Sequence, residues 1–212
     1  MQLRILVPLL IAVLFFLPAF GQEAPTHKFL LTGFAFTNLE KEEHQGAQYE
    51  IGFNPIFLWS INNRVLFEGE LEFELEEGGT VVALEYAQIL YVFNKYFTFG
   101  AGKFLSPNNI FFERLHPAWI NKLPTLPLGM TGHGGVQLLA TTQLGLQARG
   151  GIPAGSTRFT YSVYLSNGPA LNVEAEEEEG GDGHGSVAAN GTLNFDNIPD
   201  NNDDKAVGGR IS

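Results

Sequence analysis

Between Arg64 and Glu76 the chain alternates two kinds of side chain with a regularity that few folds can use. Val65, Phe67, Leu71, Phe73 and Leu75 fall on one set of positions, and Glu68, Glu70, Glu72 and Glu74 on the other. Successive side chains of a strand point to opposite faces, so a period of two sorts the two sets onto the two sides of a sheet. A helix would scatter the glutamates around its circumference. The pattern recurs upstream, where Tyr49, Ile51, Phe53, Phe57 and Trp59 alternate with Gln48, Glu50, Gly52 and Asn54. Further strand-like stretches lie at 29–37, 81–93, 96–104, 136–150 and 158–166, and another begins at 207–211. In 81–93 both faces are apolar, so no inward side can be assigned there. The 25 Gly and 18 Phe suit many strands joined by turns, and the chain reads as all-β.

The first twenty-odd residues set the compartment. Arg4 supplies a positive start, 5–17 is apolar apart from Pro8, and Ala19-Phe20-Gly21 places small residues where a signal peptidase reads. This is a secretory signal, residues 1–21, with cleavage expected after Gly21. Pro8 and Pro18 argue against a retained helical anchor. There is no cysteine, which excludes disulfide scaffolds, thiolate metal sites and cysteine nucleophiles. A net charge of −11 disfavours nucleic acid as a partner, because phosphate binding needs clustered cations.

The connections carry a second signal. Short turns at 60–63, 94–95 and 153–156 alternate with longer links at 38–47, 76–80, 106–132 and 167–205. An outer-membrane barrel has short periplasmic turns at one rim and longer external loops at the other. A soluble sandwich has no reason to sort its loops by parity. A carboxylate facing lipid would be costly, so Glu68, Glu70, Glu72 and Glu74 are expected to face a water-filled lumen. The same alternation also suits a soluble sheet with one wet face, and export and loop parity favour the barrel. Trp59, Tyr91 and Tyr96 fall near the short turns, where an aromatic girdle is expected. Only seven strands and the start of an eighth are legible, so residues 22–212 read as the N-terminal part of a longer antiparallel transmembrane β-barrel.

Residues 101–107, Ala-Gly-Lys-Phe-Leu-Ser-Pro, followed by Phe112-Glu113-Arg114-Leu115-His116-Pro117, resemble the Gram-negative porins grouped as phosphate-selective porin O and P. Glu85-Tyr86-Ala87, Ser166-Asn167-Gly168-Pro169 and 205–211 support the resemblance. It implies a porin-like barrel of about sixteen strands, a homotrimer when full length, with the third external loop folded inward to narrow the pore. The segment 106–132 occupies the position of that loop. The resemblance also implies the outer membrane as location, its lipids and lipopolysaccharide as surroundings, and small polar or ionic solutes as cargo.

Phosphate-selecting members are expected to line the pore with cations. From residue 22 to residue 173 this chain has nine Lys/Arg against thirteen Asp/Glu, a balance of −4. Lys103, Arg114, His116 and Lys122 are the cationic candidates for selectivity, and Arg114 could fork to an anion. The alternative is that they pair with Glu113 or with lumen glutamates and pin the loop. The four glutamates of 68–74 bias the wall toward cations. Passive diffusion with weak selectivity is therefore expected, phosphate or other anions remaining among the solutes.

Other functions draw less support. The acidic run within 174–204 lacks the ligand spacing of a calcium loop and reads as a solvated external loop. None of the five histidines falls in a metal-ligand spacing, and there is no nucleophile-elbow motif. No cofactor or covalent chemistry is implied. The alternatives are a non-conducting surface barrel, as an adhesin or structural protein, or with less support a barrel enzyme.

Overall fold

The computed structural model describes residues 27–41, 47–76, 79–115, 117, 119–121, 138–174, 188–195, 198, 200 and 204–212. The signal sequence, His116, Lys122 and most of the acidic run lie outside the described residues.

The described chain is an all-β structure of ten strands and one short helix. The strands are β1 (Lys28–Glu40), β2 (Gln48–Ser60), β3 (Val65–Glu76), β4 (Gly79–Asn94) and β5 (Phe97–Leu105). After the helix α1 (Ile110–Arg114) come β6 (Thr142–Ala154), β7 (Thr157–Ser166), β8 (Ala170–Glu174), β9 (Ala188–Asn194) and β10 (Ala206–Ile211). Eight of them form one antiparallel sheet in the order β1-β2-β3-β4-β5-β6-β7-β10, and β8 and β9 form a separate hairpin. β10 does not pair with β1, so the sheet is open at both edges as described.

Register makes the two faces a property of the whole sheet. One row runs Phe29, Trp59, Phe67, Ile89, Ala101, Leu146, Leu165 and Val207 across all eight strands without a polar side chain. The adjoining row on the opposite face runs Leu58, Glu68, Gln88, Gly102, Gly145, Ser166 and Ala206. In β4 the apolar face carries Ile89 and Tyr91, while Gln88 and Leu90 share the polar one. Many large side chains of the apolar face stay open to the surroundings, from 37% exposed at Phe99 to 82% at Ile211, while others such as Phe67, Leu71 and Phe73 are partly covered. The buried apolar residues Leu90, Phe104 and Tyr164 belong instead to the polar face.

The turns at one rim are built by side chains that replace backbone partners. Asn62 Oδ1 accepts from the amides of Arg64 and Val65 at 2.8 and 2.9 Å. Asn94 Oδ1 does the same for Tyr96 and Phe97 at 2.8 and 3.1 Å, an Asx device that fixes tight reversals. Aromatic rings gather at this rim: Tyr91 meets Phe93 at 4.6 Å, Phe93 meets Phe97 at 5.2 Å, and the Tyr161 hydroxyl donates to the Tyr96 carbonyl at 2.9 Å.

Three sequence expectations need correction. The link at 76–80 is not a longer loop: Glu76 already pairs with Gly79, leaving only residues 77 and 78 between the strands. The alternating pattern of β3 continues to that reversal, so loop length does not follow parity there. Of the sixth strand expected from 136, residues 136 and 137 lie outside the described residues, 138–141 are not strand, and the strand runs from Thr142 to Ala154, with Pro153 tolerated beside the turn. The stretch 167–205 is not all loop, because Ala170–Glu174 and Ala188–Asn194 pair as the β8–β9 hairpin.

Gly102 makes a tight backbone approach within the polar face. It has φ of +130°, and a Cβ there would overlap the Ala87 carbonyl oxygen of β4. At Gly100 a Cβ would meet only movable side-chain atoms, Leu90 Cδ2 at 2.8 Å and Gln147 Cγ at 2.9 Å. Gly102→Ala should therefore cost more than ~2 kcal/mol and Gly100→Ala about 1 kcal/mol, read from urea unfolding of the purified protein. Equal losses at the two positions would contradict this account of β5.

Candidate functional site

A segment between β5 and β6 folds onto the polar face and builds the site. It leaves β5 at Leu105, and the Ser106 amide donates to the Thr141 carbonyl at 2.8 Å, closing the neck of the loop. Asn109 caps α1, its Oδ1 accepting from the Phe112 amide at 3.1 Å. The Ser/Asn pattern before Ile110 suits such a cap, because the first amides of a helix lack partners.

Side chains from three neighbouring strands hold the segment down. Arg210 of β10 donates to the Pro107 carbonyl at 2.7 Å and pairs with Glu113 at 2.6 Å. Both side chains of that pair are largely buried. Asn108 donates to the Tyr164 hydroxyl of β7 at 2.6 Å, and Gln143 of β6 to the Ser106 hydroxyl at 3.4 Å. At its far end Trp119 meets Phe34 of β1 edge-on at 4.4 Å. The segment thus touches β1 and β10, the two outermost strands of the sheet.

Beneath it the polar face is a network. Gln88 donates to Glu68 at 2.6 Å, Gln147 donates to Gln88, and Arg149 pairs with Glu68 at 3.5 Å. On the polar face of β5, Gly100 pairs with Gln147 and Gly102 with Gln88, and these two side-chain-free positions let the amides meet diagonally across the strand. Asn54 donates to Glu70 at 3.2 Å and reaches Glu72 at 3.5 Å. Glu70 is only 3% exposed, so its carboxylate does not stand in open water.

The candidates from sequence therefore separate. Glu68, Glu70, Glu72 and Glu74 share the polar face. Lys103 is on the other one, paired in register with Ala87 and Leu144, and its Nζ donates to the Leu84 carbonyl at 2.7 Å. A long lysine can lie along an apolar surface and carry its charge to the edge, which is the environment found here. Arg114 sits in α1 and pairs with Glu113 at 3.3 Å. His116 and Lys122 lie outside the described residues.

Of the larger cation cluster, only Arg114 was among those candidates. A cavity of about 340 Å³ opens near the short-turn rim, lined by Lys95, Arg114, Arg149, Arg158 and Arg210 with Glu113 as the one carboxylate. Three of its residues form a single cross-strand row, Arg149 of β6, Ser162 of β7 and Arg210 of β10. The signal was present as spacing: Arg158, Ser162 and Tyr164 fall two apart or a multiple of two along β7. Which strands bring Arg149 and Arg210 beside them depends on register, which a single sequence does not give. Among the described residues no group of three His, Asp or Glu could hold a metal ion.

The latch at Arg210 makes a direct prediction. Arg210→Ala removes the shorter of the two ion pairs of the largely buried Glu113 carboxylate and the donor to the Pro107 carbonyl, so the segment should open more often. Hydrogen exchange at the Glu113 and Leu115 amides should accelerate about tenfold or more, with Arg210→Lys restoring part of the protection. Unchanged exchange in Arg210→Ala would show that the segment is held elsewhere.

No protein-family model matches this chain, and no curated protein matches it.

Proposed function

We propose that the chain forms part of a porin-like β-barrel in the outer membrane of a Gram-negative bacterium. Small polar solutes and ions would diffuse passively through its hydrated lumen. The observation that carries this reading is an inversion of the usual burial. In a water-soluble sheet the covered face is the apolar one. Here the folded-in segment lies on the polar face, and the apolar face is left open across eight strands.

Magnitudes support the same reading. Strands of 12 or 13 residues, as in β1, β2 and β3, extend ~40 Å at about 3.3 Å per residue. Tilted at about 45° they cross ~30 Å, the thickness of a bilayer's hydrocarbon. Eight strands at about 4.8 Å spacing make an apolar face on the order of 1,000 Å², well above the few hundred Å² a soluble monomer leaves exposed. Among the described residues no helix is long and apolar enough to cross a membrane, which leaves crossing by strands untouched.

On this reading the lumen side is the polar face, the loop at 106–121 narrows it, and its surroundings are outer-membrane lipid and lipopolysaccharide. A homotrimer of full-length chains of about sixteen strands is the assembly that the resemblance suggests. Phosphate is one of several anions that the cation cluster would admit. A non-conducting surface barrel would have the same two faces but no continuous water path.

Planar-bilayer recording of the detergent-purified protein separates the two, with stepwise conductance expected for the channel. Glu72→Gln should shift the reversal potential in a KCl gradient toward anions. Ile89→Arg, at the middle of the apolar row, should weaken insertion by ~2–4 kcal/mol. Insertion indifferent to Ile89→Arg, or no conductance from inserted wild-type protein, would contradict the proposal.

A further inference from the structure

We propose that the arginine-lined cavity is a binding site for an organic polycarboxylate, a solute carrying two or three carboxylates on a compact carbon body. The inference rests on the channel reading for the solute's route to the cavity, and on the cavity's own residues for its chemistry.

Charge comes first. Five cations line the cavity against Glu113, and Glu68 compensates Arg149 from outside it, which leaves an excess of about three positive charges. Arg210 and Arg114 share the Glu113 carboxylate. Arg158 has no ion pair or hydrogen bond with the described residues. Its guanidinium lies over Gly151, where a Cβ would come within about 3 Å of its Cζ and Nη2. A glycine at that position gives the guanidinium its seat. An arginine seated in this way presents a planar fork of donors that matches a carboxylate bidentately.

A second observation points into the same space. Ser162 is 5% exposed, its hydroxyl has no hydrogen-bond partner, and it lines the cavity between Arg149 and Arg210 in their row. Buried hydroxyls are rarely left unpaired, and this one can rotate to donate to an anion in the cavity. The backbones of Arg149 and Arg210 are two strands apart, ~10 Å, and their guanidinium groups are engaged with different carboxylates, Glu68 and Glu113, a spread that suits a solute with carboxylates at two ends.

Size favours an organic solute over a simple ion. At ~30 Å³ per water-sized group, 340 Å³ holds about eleven such groups, and inorganic phosphate would leave more than half of it to water.

The test is calorimetric titration of the detergent-purified protein with citrate, succinate, inorganic phosphate and chloride. Citrate should bind one per chain and at least tenfold more tightly than phosphate. Arg158→Ala should weaken citrate binding about tenfold, Arg158→Lys less, and Ser162→Ala several-fold, the range for losing charge-assisted and neutral hydrogen bonds. Arg158 is exposed, so its removal should leave the far-UV circular dichroism unchanged. Phosphate binding as tightly as citrate, or citrate binding indifferent to both Arg158→Ala and Ser162→Ala, would overturn the proposal. Conductance without citrate binding refutes this site and leaves the channel standing. Citrate binding by an inserted protein that does not conduct supports the site and refutes the channel.

Discussion

A β-strand satisfies its backbone polar groups only through its neighbours, and its side chains go alternately to either side. These two facts together force the faces of a sheet to be collective. One strand's phase must match the next, because a register slip of a single residue would exchange the faces. In this chain the match holds from Phe29 on β1 to Val207 on β10, and it is what leaves one side of the sheet hydrocarbon-like. The bulge in β4 beside Glu70 and Leu71 shows the phase being kept. One extra residue, Glu85, is absorbed there so that Leu84 and Tyr86 both keep their faces.

The polar face derives its shape from what it lacks. Gly100 and Gly102 on β5, Gly145 on β6 and Gly208 on β10 all fall on that side, among the long side chains of Gln88, Gln147 and Tyr164. The glycines leave a trough into which glutamines, Tyr164 and the inward segment settle. That segment is held by polar groups rather than by apolar burial: a guanidinium on a carbonyl and a carboxylate, an amide on a phenol, an amide on a hydroxyl. Such contacts hold only where water competes weakly, which explains why Ser106, Asn109 and Phe104 beneath or within the segment are almost wholly buried. The arginine cavity sits where the trough meets the short-turn rim.

Much of the fold was legible in the sequence because period two survives in a single chain. The glutamates of β3 could be assigned to one side from spacing alone, and so could Trp59 and Phe67 to the other. What could not be read were the features that depend on pairing. Lys103 looked like a neighbour of Arg114 along the chain, but the phase of β5 sends the two to different sides of the sheet. Arg149 and Arg210 lie 61 positions apart and become members of one row only through β7. The β8–β9 hairpin was hidden because Asn, Gly and Ala in 188–194 carry no alternation for a pattern to register. The β3–β4 reversal was overestimated because glutamate and glycine at its ends read as loop composition.

The proposed channel requires the apolar rows to meet lipid and the polar rows to meet water. With no native cysteine, single cysteines can be placed along β7 from residue 158 to 166 and spin-labelled in protein reconstituted into vesicles. Lipid contact on the apolar rows predicts that collisions with dissolved oxygen peak at Phe159, Tyr161, Val163 and Leu165 and fall at the residues between them, a clean period of two. Oxygen accessibility that is flat along the strand, or labels at those four positions equally open to a water-soluble nickel complex, would contradict it.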